Sequence, residues 1–185
     1  MEFILGNTLK DLINKGVNLN TLKGLEYFIT TCQALDFVSK KNIIHRDFKP
    51  SNIMINHKGT LKIVDFGVAK TVDADAYKAQ QEGIVGSPYY MSPECIEGRP
   101  LDHRSDIYSM GVMLYEMVTG SVPFSADTPV AVIYKHVHEP LPMPRSKRPD
   151  LPEAAQNVIL KALSKAPEQR YASCVEMAQA FSRAI

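Results

Sequence analysis

Four polar residues whose side chains could support chemistry lie within a short part of the sequence. Asp47, Lys49 and Asn52 are close together, and Asp65 follows after two short apolar runs. A carboxylate can accept a proton, an ammonium group can neutralise negative charge, and amide and carboxylate oxygens suit Mg²⁺. On loops, however, Asp and Asn most often only form turns. The surrounding sequence must therefore decide between chemistry and turn formation.

The segments that flank these residues predict a hairpin and a long loop. Two short apolar runs, 53–55 and 61–64, are separated by a turn that contains Gly59, which is the pattern of a small β-hairpin. Residues 68–92 lack periodicity and contain several turn formers, so we expect a long loop there. Loops of this length in a compact domain are usually functional or disordered.

Helical periodicity dominates the rest of the chain. Apolar residues recur every three to four positions, which predicts helices with one buried face. The segments with this spacing are 21–41, 107–117 followed by Gly120, 128–138, 158–163 and 173–185. A proline-rich connection is expected over residues 140–152. The predicted fold class is therefore mainly α with one small hairpin.

Composition narrows the class of protein. A length of 185 residues suits one domain, and a formal net charge of +1 gives no general attraction for nucleic acid. No run of about 18 apolar residues is present that could span a bilayer. The three cysteines, Cys32, Cys95 and Cys174, have no metal-ligand spacing, which favours reduced thiols and a cytoplasmic location.

The motifs around these residues resemble those of protein kinases. Residues 45–52, His-Arg-Asp-Phe-Lys-Pro-Ser-Asn, resemble the kinase catalytic loop, and Asp-Phe-Gly follows at 65–67. Residues 86–94 resemble the end of the activation segment, with Ser-Pro-Glu in place of Ala-Pro-Glu, and residues 102–111 resemble the start of the central helix. With Arg170 in a late Pro-Glu-Gln-Arg-Tyr, the chain is identified as a member of the eukaryotic-type serine/threonine kinases, similar to the bacterial ones.

The resemblance implies transfer of the ATP γ-phosphate to Ser or Thr hydroxyls of a protein substrate, with ATP and Mg²⁺ as cofactors. Asp47 would orient the hydroxyl and accept its proton, while Lys49 would bring positive charge to the transferred phosphate. Asn52 and Asp65 would hold Mg²⁺. Lys49 also distinguishes this loop from that of tyrosine kinases. No nucleic-acid partner and no membrane segment are expected.

One part of the kinase pattern has no counterpart in the sequence. The 185 residues contain no Gly-x-Gly-x-x-Gly loop, and no Val-Ala-x-Lys strand precedes the catalytic loop. The resemblance therefore predicts the C-terminal lobe only, with the N-terminal lobe absent. Its expected parts are a hinge remnant at 1–7, a catalytic loop at 43–52, an activation segment at 65–94 and a helical subdomain at 103–185.

The same resemblance assigns residues to the nucleotide. Backbone groups of Glu2 and Ile4 would face the adenine, Thr8 would lie near the ribose, and Met54 would pack under the ring. Lys49, Asn52 and Asp65 would complete the site on the phosphate side.

Regulatory roles are also implied. Arg46 would bind an anion of the activation loop, yet residues 72–86 contain no Ser or Thr. Glu82 is therefore a candidate for a permanent carboxylate partner, with a solvated loop charge as the alternative. Ser87 would contact Asp47 and Lys49 on the substrate side.

Five residues are expected to support the fold rather than the chemistry. His45 would pack beneath Phe66, and Asp106 would bind backbone groups of the catalytic loop. Glu94 and Arg170 would form a buried ion pair.

Two functions remain open from sequence. The first is the large lobe of a kinase, inactive by itself because the glycine loop and the ATP-binding lysine must come from a missing N-lobe segment. The second is a non-catalytic docking or interaction module derived from a kinase.

Overall fold

A computed structural model describes residues 4–16, 22–65 and 88–185 of the chain. These parts are mostly helical, with a small antiparallel sheet of three strands. The strands are β1 (Gly6–Thr8), β2 (Ile53–Asn56) and β3 (Leu61–Ile63). The α-helices are α1 (Leu9–Asn14), α2 (Leu22–Ser39), α3 (Pro93–Ile96), α4 (Arg104–Thr119), α5 (Pro129–His138), α6 (Pro144–Lys147), α7 (Glu153–Ala162) and α8 (Cys174–Ala184), and 3₁₀ turns span Pro50–Asn52, Pro88–Tyr90 and Pro167–Gln169.

The sheet is larger than the predicted hairpin. Strands β2 and β3 pair antiparallel as expected, but β1 pairs with the other edge of β2, with Gly6 opposite Asn56. A Cβ atom at position 6 would lie 2.0 Å from the carbonyl oxygen of Ile55, so only glycine allows this close approach. Strand β1 consists of Gly-Asn-Thr and contains no apolar residue, which explains why hydrophobic patterning did not reveal it.

Helix α4 forms the centre of the core. All of its residues from 105 to 118 are buried, and it packs against α2, α7 and the 3₁₀ turn at Pro88–Tyr90. Gly111 brings α4 close to α7, because a Cβ atom there would lie 3.0 Å from that of Ala162. Helices α2 and α8 also pack together, with the rings of Phe28 and Phe181 edge to face at 5.8 Å.

Side-chain and backbone caps set the ends of the helices that the sequence predicted. The hydroxyl of Thr128 accepts a hydrogen bond from the Ala131 N–H at 3.2 Å at the start of α5, and Ser173 does the same for Glu176 at 3.0 Å in α8. Helix α4 ends at Gly120, which adopts φ +80°.

Three short helices were not predicted, and one of them is α3, the four residues Pro93–Ile96. Helix α1 begins with a capping box, in which Thr8 and Asp11 bond each other's backbone N–H. Helix α6 lies inside the connection expected over 140–152 and begins with Pro144. Each has at most six residues, too few for helical periodicity to be visible. Across residues 4–16, 22–65 and 88–185, no helix is both long and apolar enough to cross a membrane.

Helix α5 docks on α4 through a fully buried histidine. The Nδ1 atom of His136 lies 2.9 Å from the hydroxyl of Tyr108, and its ring meets Phe124 edge to face at 4.9 Å. Burial lowers the pKa of His136 to about 4, and the positive charge of Lys165 adds to the shift. The imidazole is therefore neutral in the folded protein at neutral pH.

This burial predicts a pH-dependent stability. The unfolded chain binds a proton near pH 6.5 and the folded chain only near pH 4, so stability falls as pH drops through that interval. The loss should be no more than about 3 kcal/mol. Urea unfolding of the protein at pH 7 and pH 5 measures it. His136→Asn should reduce the change of the unfolding free energy between pH 7 and pH 5, whereas His57→Asn, at a solvent-exposed position, should leave that change as in wild type. An equal change in both variants would contradict the attribution of the pH dependence to His136.

Candidate active site

Residues 43–52 connect α2 to β2, and a buried carboxylate of α4 holds their backbone. The two oxygens of Asp106 accept hydrogen bonds from the N–H groups of His45 at 2.9 Å and Arg46 at 3.1 Å. Arg46 adopts φ +67°, a left-handed conformation that non-glycine residues rarely take. Burial raises the pKa of Asp106, and the two N–H donors oppose that shift because they favour the ionised form.

The carboxylate of Asp47 lies directly beside an ammonium group. Lys49 Nζ is 2.6 Å from Asp47 Oδ2, and each side chain is 22% exposed. The amide of Asn52 donates to the Asp47 carbonyl oxygen at 2.9 Å. Three of the residues singled out by sequence are therefore joined by two contacts; Asp47 and Lys49 remain partly exposed, whereas Asn52 is buried.

The sheet brings Asp65 to the same place. Val64 donates its N–H to the Asn52 carbonyl oxygen at 2.8 Å, so Asp65 follows one residue after a direct link to Asn52. Asp65 is exposed and has φ +61°. Because the Asn52 amide nitrogen is committed to Asp47, its oxygen faces away from that carbonyl.

These oxygens fit a hard divalent cation. An amide oxygen and a carboxylate are the ligand types that Mg²⁺ takes when phosphates and water complete its coordination. No group of three or more His, Cys, Asp or Glu residues that could hold a metal occurs in the described ranges.

His45 is buried and ties the loop to the end of β3. Its Nε2 atom lies 3.2 Å from the Val64 carbonyl oxygen, and its ring meets Phe48 edge to face at 5.3 Å. The expected neighbour, Phe66, lies outside the described residues, as do Glu2, Glu82 and Ser87.

Of the residues assigned to the adenine and the ribose, the described ones lie in or next to strands β1 and β2. Thr8 and Met54 are directly opposite each other in the β1–β2 pairing, and Ile4 precedes β1. The hydroxyl of Thr8 bonds to Asp11 at the start of α1, a capping role that the sequence did not suggest.

A buried ion pair links α3 to the end of the chain. The two terminal nitrogens of the Arg170 guanidinium, Nη1 and Nη2, each lie 2.7 Å from a carboxylate oxygen of Glu94, which also accepts a hydrogen bond from Ser105 at 2.7 Å. The guanidinium also stacks on the ring of Tyr108, with 4.8 Å to the ring centre. Burial would raise the pKa of Glu94, but the hydrogen bonds and charge of Arg170 outweigh it and lower the pKa below 4.5.

Sequence reasoning missed a second buried carboxylate of α4. Glu116 accepts a hydrogen bond from the Tyr90 hydroxyl at 2.6 Å and contacts Lys10 of α1. Ser109 donates to the Tyr90 carbonyl oxygen at 2.8 Å. An acidic residue in the middle of a strongly apolar helix was the available signal, since such a residue is rarely buried without partners.

Loss of Arg170 should destabilise the protein strongly. Arg170→Met leaves Glu94 buried without its cation, at a cost of about 3–5 kcal/mol of unfolding free energy. Urea denaturation followed by circular dichroism at pH 7 measures this loss. The matched control is Arg99→Met, which breaks an exposed pair with Glu97 and should cost under about 1 kcal/mol. Equal losses for the two variants would refute the role of burial.

Comparison with known proteins identifies the family of this chain. The protein kinase domain family model matches residues 1–182. A probable serine/threonine-protein kinase of Clostridium acetobutylicum is 40% identical over 98% of this chain, and serine/threonine-protein kinase PknB of Mycobacterium tuberculosis is 41% identical over 96% of it. The chain spans 28% of the length of each. The chain belongs to the protein kinase family and is of the bacterial serine/threonine type.

Proposed function

We propose that these residues form the catalytic lobe of a kinase that transfers the γ-phosphate of ATP to Ser or Thr hydroxyls of a protein. The observation that carries the proposal is the contact of Lys49 with Asp47, with Asn52 bonded to the backbone of Asp47. Phosphoryl transfer needs positioned groups and charge neutralisation more than covalent chemistry. A carboxylate and an ammonium group 2.6 Å apart on a held loop meet that need.

Each residue has a distinct task in this proposal. Asp47 orients the acceptor hydroxyl and takes up its proton, and Lys49 places positive charge beside the phosphate that moves. Asn52 and Asp65 bind Mg²⁺ through their oxygens. The bound cation neutralises charge on the phosphates.

The nucleotide base would lie against the β1 edge of the sheet. We assign the contacts of the adenine to backbone groups of Glu2 and Ile4 and to the side chain of Met54, and the contact with the ribose to Thr8, which lies opposite Met54 in the sheet. A glycine-rich loop and a phosphate-binding lysine occur nowhere in the 185 residues, so another segment has to supply them.

The absence of these two motifs from the sequence also favours a second function. The 185 residues alone would act as a docking module that binds a partner or substrate without transferring phosphate. The catalytic proposal requires the carboxylate of Asp47, whereas the docking proposal does not.

Activity measurements separate the proposals. The full-length kinase should phosphorylate a basic protein substrate with Mg²⁺-ATP, and Asp47→Asn should lower the rate by at least about a hundredfold because the proton acceptor is lost. Asp127→Asn, on an exposed loop, is the control and should change little. The 185-residue chain alone should be inactive. A full-length Asp47→Asn variant with the rate of the control would exclude the catalytic proposal.

Activation is proposed to depend on a fixed carboxylate. Arg46 is held next to Asp47 by Asp106, and Glu82 would give its guanidinium a permanent anionic partner. A carboxylate carries about one negative charge, against roughly 1.5–2 for a phosphate group. The contact with Arg46 would therefore order the activation loop less strongly than a phosphate would, but permanently. Ser87 would contact Asp47 and Lys49 from the same segment.

This proposal has its own test. In the dephosphorylated full-length kinase, Glu82→Gln should lower the rate several-fold, because Arg46 loses its charge partner. Glu97→Gln removes an exposed carboxylate outside that segment and serves as the control. Equal rates for both variants, or a strict requirement for phosphorylation at Thr71, the hydroxyl residue that immediately precedes residues 72–86, would rule the proposal out.

A further inference from the structure

A groove runs between helices α2 and α8, and its residues take no part in the candidate active site. Its volume is about 350 Å³. The apolar part of its lining comes from Ile29, Val175 and Ala178, and Ala178 is only 4% exposed. The polar part is exposed and consists of Gln33, Gln179, Ser182 and Arg183. The groove therefore combines an apolar bottom with a polar rim, which is the anatomy of a protein interface.

The two helices run antiparallel, which gives the groove a direction. The ring of Phe28 meets that of Phe181 at 5.8 Å. Further along α2, the Cys32 thiol lies close enough to Cys174 to add to the rise that burial causes in the pKa of Cys174. Arg183, two residues after Phe181, therefore lies at the end of the groove that corresponds to the first half of α2.

Phe37 extends the apolar surface at the other end of the groove. It follows Gln33 by four residues, so both lie on the same face of α2. Its side chain is 63% exposed, and Lys41 Nζ lies 5.2 Å from the centre of its ring. From Ile29 to Phe37 the surface runs about 12 Å along α2. An exposed aromatic ring that continues an apolar groove is typical of a surface that binds a partner.

The exposed charges around the groove are mainly positive. Among residues 22–41 and 174–185, four exposed basic residues stand against one exposed acidic residue; they are Lys23, Lys40, Lys41 and Arg183, against Glu26. The other two acidic residues of these ranges are engaged, because Asp36 pairs with Lys40 at 2.7 Å and Glu176 accepts a hydrogen bond from the Ala172 N–H at 2.8 Å. The surface thus favours an acidic partner.

The shape of the groove favours an α-helix as that partner. Sites for small molecules enclose most of the ligand, whereas the rim residues of this groove are exposed. A flat bilayer surface would touch Phe37 but would not reach the recessed Ala178. An amphipathic helix can lay side chains spaced i, i+3, i+4 and i+7 into a groove between two helices.

We propose that the α2–α8 groove, with Phe37 at one end and Arg183 at the other, docks an acidic amphipathic helix of a partner protein. Apolar side chains of this helix would enter the groove and cover Phe37. Carboxylates at its two ends would face Lys41 and Arg183. The proposal goes beyond the kinase reaction and does not depend on it, because no residue of the groove is assigned to ATP, Mg²⁺ or the substrate.

The experiment uses the full-length kinase that contains these residues and a fluorescein-labelled helical peptide of about 14 residues. The peptide has leucines at the spacing given above and glutamates at both ends. Fluorescence anisotropy in the absence of ATP measures binding, so the result is independent of phosphoryl transfer. We expect a Kd in the micromolar range. A peptide of the same composition in scrambled order should not bind.

Matched substitutions of exposed aromatic residues locate the site. Phe37→Ser should weaken binding by at least about tenfold, because aromatic anchors contribute most of the binding energy of such contacts. The control is Tyr134→Ser, which removes an aromatic ring that is 59% exposed on α5 and should leave the Kd unchanged.

A charge exchange tests the acidic character of the partner. Arg183→Glu should weaken binding of the acidic peptide by about tenfold, and a peptide with lysines at the facing end should recover the lost affinity. Arg145→Glu, at an exposed arginine of α6, is the control and should have no effect.

The remaining outcomes would overturn the proposal. These are a peptide that does not bind, or equal affinities for Phe37→Ser and Tyr134→Ser. Two further results would assign the surface to another occupant. One is binding of the kinase to vesicles of equimolar phosphatidylcholine and phosphatidylserine that Phe37→Ser abolishes, without peptide binding. The other is a dimer in light scattering that Phe37→Ser dissociates, again without peptide binding. Peptide binding by a protein that shows no kinase activity would support the docking groove and refute only the proposed catalysis.

Discussion

The carboxylate of Asp106 is the group on which the geometry of the candidate site depends. It binds two consecutive backbone N–H groups of a loop in which Arg46 has a left-handed conformation, and Asp47 comes next. Without those two acceptors the loop would lose the contacts that offset its backbone strain. The position of Asp47 is thus determined by a residue distant in sequence that takes no part in the chemistry.

Helix α4 provides the same kind of support to the segment 88–94. Ser105, Ser109 and Glu116 are four and then seven residues apart, which places them on one face of a helix. Ser105 donates a hydrogen bond to Glu94. Ser109 donates to the carbonyl oxygen of Tyr90, and Glu116 accepts from the hydroxyl of Tyr90. One buried helix therefore positions the catalytic loop through Asp106 and the segment 88–94 through this polar face.

The sequence predicted the parts of this arrangement that local rules control. The bounds of α4, α5 and α8 followed from periodicity together with Gly120, Thr128 and Ser173, because caps act within one helical turn. The hairpin of β2 and β3 followed from two apolar runs and a turn. In the candidate site, the motif order indicated that Asp47, Asn52 and Asp65 belong together.

What the sequence did not predict arises from contacts between distant segments. Strand β1 exists because Gly6 allows close approach to Ile55, a condition that no local pattern contains. The polar face of α4 was concealed by its apolar periodicity, since Ile107, Met110 and Leu114 fit an ordinary core helix. The partners of Glu116 lie on α1 and on the turn that contains Tyr90. The cost of burying its carboxylate is therefore compensated only when those segments pack against α4.

The buried polar groups of α4 make more sense as determinants of position than of stability. Taking a carboxylate out of water costs several kcal/mol, and a well-packed apolar replacement of a buried ion pair is often neutral or stabilising. An apolar side chain at position 106 or 116 would fill the space but would not fix the orientation of a backbone N–H or a tyrosine hydroxyl. Hydrogen bonds are directional, whereas hydrophobic contacts are not. A carboxylate and an ammonium group that lie side by side, as those of Asp47 and Lys49 do, need that directionality. The helix therefore retains charges at a cost in desolvation because they define where the loop and the turn must lie.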